Sequence, residues 1–232
     1  MAKMGAALSR VVFQPPQYPG GPGTPPETSD LVTLTTKKGD TIHAFHIKGG
    51  GGTLTLLYSH GNAEDITLSR GYFQQLAAFC AVDVFLYEYV GSGPSVHLCA
   101  LHPLGGLILQ SALLSVHRVA LRLRLSLPGD LFKNIEKIHK VECPVFSIHG
   151  TNDEIVPVAH GIELYKKARL RVSPFWVEGG GHNNLELLSR REFFFAMSRF
   201  LRLIHQRNQL QGHQQEQGHQ QLAAPAAMAN EA

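Results

Sequence analysis

The 232-residue sequence is short of the features that mark secreted, membrane-spanning and nucleic-acid-binding proteins. Its three cysteines, Cys80, Cys99 and Cys143, are odd in number and lie in apolar contexts, which favours a reduced intracellular protein over a disulfide-framed one. No run reaches the roughly 18 apolar residues of a membrane span, and the N-terminus lacks the apolar core of a signal peptide. The net charge of +3 is dispersed, which argues against a nucleic-acid partner. We therefore predict a cytoplasmic protein, and we find no motif that would hold a metal or another cofactor.

Composition divides the chain into three regions. Residues 1–29 include the stretch PPQYPGGPGTPP, which has nothing to bury and predicts an irregular arm. Residues 30–206 hold the regular apolar patterns and predict one folded domain. Residues 207–232 are rich in Gln, His and Ala and contain QGHQQ twice. Such a tail cannot build a core, and we predict that it is disordered.

Within the domain, strand and helix patterns alternate. LVTLTT and TIHAFHIK flank the turn KKGD and predict an antiparallel hairpin. TLTLLYS is continuously apolar, which predicts a strand that is buried on both faces. One helical spacing begins at Ile66, and a final helix is predicted from the apolar stripe that runs from Phe193 to Ile204. Further strands are predicted in VDVFLYEY, GLILQS, CPVFSIHG and SPFWVEGG. This order predicts an α/β fold with a mostly parallel sheet and helices on both faces.

Polar residues follow three of the predicted strands, where open parallel sheets place their ligands. YSHGN puts His60 and Gly61 at one strand end, SIHGTND puts Asp153 at another, and EGGGH puts His182 behind three glycines. We expect these glycines to present the imidazole without steric limits. Taken singly, each residue fits an ordinary loop or turn. Together, an acid followed by a histidine, with an oxyanion-type turn upstream, have the chain order of an α/β-hydrolase site.

Several stretches resemble one subfamily of these enzymes. LLYSHGNAED, FLYEYVGSG, FSIHGTNDEIVPVAHGIELY and FWVEGGGHNNLEL are similar to the α/β-hydrolase-domain-containing proteins of the seventeen group, serine hydrolases that remove palmitate from proteins. The resemblance implies an α/β-hydrolase fold, an S-acylated protein or acyl ester as substrate, and no cofactor. It implies that Asp153 is the triad acid and His182 the general base. It also implies that the backbone at Asn62 or Ala63 supplies an oxyanion donor, supported by the turn at His60 and Gly61.

The centre of that pattern is missing, because no G-x-S-x-G motif occurs in the chain. Only residues 91–104 separate the turn after FLYEY from the strand GLILQS, where the family carries a helix, a strand and the nucleophile elbow. Ser92 and Ser95 fit turn caps better than nucleophiles, and Ser111 is also a poor candidate. We therefore expect this chain to be inactive as it stands.

The fold class that we predict is thus an α/β-hydrolase fold with its central nucleophile-bearing strand and flanking helices deleted. Either SVHLCALH (95–102) substitutes as a makeshift strand, or the sheet re-pairs. Splicing, a gene-model error and genuine gene decay would each produce the shortened segment. A binding protein without catalysis, presenting the old acyl pocket to a lipid or lipidated partner, and a truncated version of an active enzyme remain alternatives.

Two stretches leave a peripheral membrane contact open. ALRLRLSLPG (120–129) fits a basic, leucine-rich lid that rests on a membrane or covers an acyl chain, although the pattern favours ordinary packing with solvated arginines. MGAALS (4–9) fits a myristoylation pattern at Gly5 if translation starts at Met4.

Overall fold

The computed structural model describes residues 28–37, 39–51, 53–61, 66–87, 95–120 and 128–223. The expectations for residues 1–27 and 121–127, which include Gly5 and most of the leucine-rich stretch, lie outside these residues. The strands of the described part are β1 (Leu31–Thr35), β2 (Thr41–Ile47), β3 (Thr55–Ser59), β4 (Asp83–Tyr87), β5 (Leu107–Gln110), β6 (Pro144–Gly150), β7 (Leu170–Arg171) and β8 (Phe175–Val177). Its α-helices are α1 (Ile66–Cys80), α2 (Ser95–Leu101), α3 (Val116–Ala120), α4 (Val158–Lys167), α5 (Leu185–Leu188) and α6 (Arg190–Ala223).

The first four strands form one sheet in the order β1-β2-β4-β3. The hairpin that the alternating sequence predicts is confirmed, since β1 and β2 pair antiparallel from Leu31 opposite Phe45 to Thr35 opposite Thr41. β4 continues the sheet antiparallel to β2, and β3 then runs parallel to β4. The connection from β3 to β4 passes through α1, as a parallel crossover requires.

The last four strands form a second sheet, which is entirely parallel and centred on β6. β5 pairs with one side of β6, and the short strands β7 and β8 pair with different parts of its other side. All seven residues of β6 are buried, as expected for a parallel strand with packing on both faces.

Helices pack against the two sheets and form two separate hydrophobic cores with them. The first core joins both sheets, because α1 and α6 pack with residues of β2 and β4 and with Phe146 and Ile148 of β6. The second core lies on the opposite face of β6, where α2 and α4 contribute Val96, Cys99 and Leu164. The predicted α/β class, with parallel strands and helices on both sides, is confirmed. No described helix is both long and apolar enough to cross a membrane.

Within the described residues, no strand pairing joins β3 to β5, so the sheet is interrupted between them. The expectation that residues 95–102 replace a strand is wrong, because Ser95–Leu101 is helical and buries Val96 and Cys99 at helical spacing. The expectation that β3 is buried on both faces is also wrong. Leu57 is 49% exposed, on the face opposite Leu56 and Tyr58, which pack against the first core.

The last helix extends further than the sequence suggested. Its apolar stripe, from Phe193 to Ile204, is buried as predicted, but the helix continues past the boundary drawn at residue 207 and ends at Ala223. Gln and Ala have favourable helix propensities, so a composition that cannot build a core can still prolong a helix.

At the N-terminal boundary of the domain, Asp30 accepts hydrogen bonds from the Arg70 guanidinium at 2.8 and 2.9 Å.

Among the described residues, β3 has no strand partner on the side away from β4. This edge predicts self-association, because a strand edge that carries an exposed leucine is a template for another chain. We expect the protein to form concentration-dependent oligomers or aggregates in sedimentation velocity runs, and Leu57→Lys to shift it towards monomer. Leu68→Lys is the matched control, since Leu68 is an exposed leucine on α1 rather than on a strand. A protein that stays monomeric at all concentrations, or an equal effect of the two substitutions, would contradict this prediction.

Candidate active site

Asp153 lies in the turn that directly follows β6, and its carboxylate closes that turn. Oδ1 accepts the backbone N–H groups of Ile155 at 3.0 Å and Val156 at 2.7 Å. This is the local arrangement that aspartate offers wherever the chain turns after a strand. The side chain is fully buried, so the backbone bonds fix the carboxylate in one place.

The structure brings His182 to the other carboxylate oxygen. His182 lies in the loop after β8, and its Nδ1 is 2.8 Å from Asp153 Oδ2. Because a carboxylate only accepts hydrogen bonds, Nδ1 carries the proton, and Nε2 of the neutral ring is left as the basic nitrogen. The side chain is 27% exposed. The two residues that the sequence singled out separately thus form one hydrogen-bonded pair.

The glycines before His182 lie in a loop that packs tightly against the end of β6, not in an open loop. A Cβ at Gly150 would clash with the carbonyl group of Gly180, so these two backbones pass in direct contact. Asn152 N–H donates to Gly180 O at 2.9 Å, and Gly181 N–H donates to Asn184 Oδ1 at 2.7 Å. The expectation of a sterically unrestricted loop is therefore wrong. Glycine is needed here for close approach, and the loop is held in place.

The predicted oxyanion turn is described only in part. His60 is buried at the end of β3, and its Nδ1 donates to the carbonyl oxygen of Gly61 at 2.8 Å. Asn62 and Ala63 lie outside the described residues, so their role as oxyanion donors stays a prediction.

None of the serines considered from the sequence is paired with His182 in the described structure. Ser95 is the first residue of α2, and Ser92 lies outside the described residues. Ser111 follows β5 with a φ of 46°, in the left-handed region that favours glycine. Its Oγ is buried and has no hydrogen-bond partner among the described residues. Within the described part of the chain, no serine hydroxyl hydrogen-bonds to the His182 imidazole.

Two further histidines surround the pair, and sequence reasoning assigned them no role. His149, at the end of β6, lies with Nε2 3.3 Å from Asp153 Oδ2 and 2.7 Å from the carbonyl oxygen of Val156. His160 Nδ1 accepts the backbone N–H of Leu114 at 3.2 Å. Burial lowers the pKa of both histidines below the ordinary value. The only sequence signal was the four-residue spacing of His149 and Asp153 at the end of a buried strand.

Metal ligation is not suggested by the geometry of the part that the structure describes. There, no three His, Cys, Asp or Glu side chains converge as a metal-binding group.

An acid after β6 and a histidine after β8, two strands that pair in parallel, joined by a 2.8 Å hydrogen bond, are the arrangement expected of the acid and base of an α/β-hydrolase. Solved structures with the same fold include the esterase Pf2001 of Pyrococcus furiosus, with a TM-score of 0.62, 15% identity and coverage of 82% of this chain and 98% of that one. Mouse alpha/beta hydrolase domain-containing protein 10 matches with a TM-score of 0.56 and 15% identity, over 76% of this chain and 100% of that one. These similarities establish the α/β-hydrolase fold.

Curated relatives narrow the assignment, although no family model matches the chain. This chain is 31% identical over 197 residues to alpha/beta hydrolase domain-containing protein 17B of Homo sapiens. The aligned region covers 66% of this chain and 68% of that protein. This chain is 32% identical over 183 residues to the alpha/beta hydrolase domain-containing protein aho-3 of Caenorhabditis elegans. The chain spans 53% of the length of aho-3. The chain belongs to the alpha/beta hydrolase domain-containing protein 17 family.

Removing the Asp153 carboxylate is predicted to destabilise the fold. Asp153→Ala leaves the N–H groups of Ile155 and Val156 without their acceptor, and we expect a loss of about 3 kcal/mol in the free energy of unfolding, measured by urea denaturation. Asp153→Asn is the control, because its amide oxygen still accepts these two bonds and the loss is smaller. Equal stability of the Ala variant and the unaltered chain would contradict a structural role for this carboxylate.

Stability is also predicted to fall in mild acid. The pKa of His149 is lowered in the folded state by burial, so between the unfolded value of 6.5 and that lower value the unfolded chain binds the extra proton. The free energy of unfolding therefore decreases as the pH falls below about 6.5, by up to about 1.4 kcal/mol per pH unit for this group. His149→Gln is expected to make this dependence shallower in urea titrations from pH 7.5 to 5, whereas the same change at the exposed His139 leaves it intact. An unchanged slope in His149→Gln would contradict the prediction.

Proposed function

We propose that the chain carries the acid–base half of a serine-hydrolase site for acyl thioesters and esters and, as it stands, does not turn such substrates over. The observation that supports this most directly is the 2.8 Å hydrogen bond between His182 Nδ1 and Asp153 Oδ2 at the strand ends. Family membership supports the class of reaction.

In this proposal His182 is the general base and Asp153 its orienting acid. With its proton on Nδ1, His182 presents Nε2 to take a proton from a hydroxyl nucleophile, and the Asp153 carboxylate stabilises the imidazolium that results. The backbone near Asn62 or Ala63 would donate to the oxyanion. The serine nucleophile is missing, because the sequence contains no G-x-S-x-G motif. The second oxyanion donor is missing as well, because it is normally the backbone N–H of the residue after that serine. Loss of a triad nucleophile costs on the order of a millionfold in turnover.

The length of the matched region also supports a missing segment. The comparison with the human 17B protein extends over 197 positions but uses 66% of this chain, or about 153 of its 232 residues. The relative therefore has a few dozen residues in that region without a counterpart here. An internal deletion between β4 and β5 would account for them and for the interrupted sheet.

The substrate class comes from the resemblance of the site sequences to depalmitoylating hydrolases. We propose an S-acylated protein or an acyl ester as the natural partner of the intact site. Because the acyl chains of such proteins insert into bilayers, the proposal places the protein in the cytoplasm with a peripheral membrane contact.

A second candidate is a non-catalytic protein that binds an acyl group. It is favoured by exposed apolar side chains on β3 and in the segment that leads into β5, notably Leu57, Leu101 and Leu104. Binding of a palmitoylated peptide without release of palmitate would support this candidate over a hydrolase.

The test of inactivity is labelling by a fluorophosphonate probe, which reacts with activated serines. We expect no labelling of the purified chain above that of a heat-denatured sample, under conditions in which human 17B protein serves as the comparison. Labelling that is abolished by Ser92→Ala, Ser95→Ala or Ser111→Ala would overturn the proposal and identify an improvised nucleophile.

A further inference from the structure

His149 is not a member of the proposed acid–base pair, yet its side chain is buried almost as completely as that of Asp153. It is the penultimate residue of β6 and only 1% exposed. A buried histidine must have partners for its ring nitrogens, because an unpaired polar group in the core is costly.

The contacts of Nε2 determine the tautomer of His149. This nitrogen is 2.7 Å from the carbonyl oxygen of Val156 and 3.3 Å from Asp153 Oδ2. Both oxygens can only accept, so Nε2 carries the proton. It donates its hydrogen bond to Val156 and faces Asp153 Oδ2 in a longer, electrostatic contact.

Two hydrogen bonds and one close contact link His149, Val156 and Asp153 in a small ring. Val156 accepts from His149 through its carbonyl oxygen, and its N–H donates to Asp153 Oδ1 at 2.7 Å. His149 thus reaches Asp153 directly through Oδ2 and indirectly through Val156. The carboxylate is held from both of its oxygens before His182 is considered.

The ring of His149 is itself fixed by packing against α4. A Cβ at Gly161 would lie 2.5 Å from His149 Nδ1, so only glycine leaves room for the imidazole there. The titratable groups that face it are Asp153, His182 and His160.

We propose that His149 is a positioning residue, whose Nε2–H holds the Asp153 carboxylate with Oδ2 towards Nδ1 of His182 and so fixes the tautomer of His182. The terminal torsion of an aspartate side chain is otherwise broad, and the electrostatic attraction between the His149 N–H group and Oδ2, 3.3 Å from Nε2, narrows it. The inference rests on the proposed function, since it assigns His149 to the same acid–base pair, but its contacts do not depend on any nucleophile.

The experiment observes the imidazole N–H groups of the full chain by ¹⁵N–¹H NMR at neutral pH. In the unaltered protein, His182 is expected to show a protected Nδ1–H signal. His149→Phe removes the donor while keeping an apolar ring, and the exchange of the His182 Nδ1 proton with water is expected to accelerate about fivefold or more.

Two variants separate positioning from mere folding. His149→Gln can donate from its amide nitrogen and is expected to retain the protected His182 signal. His160→Gln alters a neighbouring histidine that does not hydrogen-bond to Asp153, and it is expected to leave the signal unchanged. Equal protection in His149→Phe, or equal loss in His160→Gln, would overturn the proposal.

Two measurements keep the test decisive if His149→Phe does not fold. The unaltered chain must show His149 as the neutral Nε2–H tautomer, and an Nδ1–H tautomer would overturn the proposal. Gly161→Ala, which presses on the ring without removing it, must also weaken the protection of His182, and unchanged protection would count against the proposal. Fluorophosphonate labelling would contradict the proposed inactivity while leaving these NMR outcomes unaffected, so the two failures are distinguishable.

Discussion

Burial of strand β6 on both faces is the constraint on which both the packing and the site depend. Phe146 and Ile148 pack in the core that joins the two sheets, and Val145 packs in the core on the other face. His149 lies near the end of the same strand, and Asp153 lies in the turn that follows it. Because close-packed interiors transmit displacements, a change in the packing of β6 would move the acid–base pair as well. Stability and site geometry are therefore coupled through one element.

The interruption between β3 and β5 divides the site as well as the sheet. His60 and Gly61 belong to the first sheet, whereas Asp153 and His182 belong to the second. In a continuous sheet, backbone hydrogen bonds would fix the register of these strand ends. Here the first core, with α1 and α6, joins the two halves, and hydrophobic packing is non-directional. The relative placement of an oxyanion turn and the acid–base pair consequently depends on helix packing.

Sequence reasoning predicted the features that depend on local pattern or on strand order. The hairpin, α1, the buried stripe of α6 and the encounter of Asp153 with His182 follow from periodicity and from the rule that ligands gather at strand ends. The wrong predictions concern contacts between segments that are distant in the sequence. An apolar run such as TLTLLYS indicates that burying its side chains would be favourable. It does not indicate whether another element packs over Leu57. The glycines before His182 likewise indicate either freedom or close approach, and only the position of Gly150 distinguishes these. The role of His149 depends on Val156 and Gly161, whose proximity no local pattern predicts.

The two members of the acid–base pair differ in how firmly the fold retains them. Asp153 is buried and accepts hydrogen bonds from two backbone N–H groups and from His182, with His149 Nε2 a further 3.3 Å contact, so it stabilises the turn after β6 whether or not catalysis occurs. His182 is partly exposed, and its one hydrogen bond among the described residues goes to Asp153. Folding alone therefore explains the presence of the aspartate but not that of the histidine. The proposal of a retained acid–base pair therefore depends more on His182 than on Asp153.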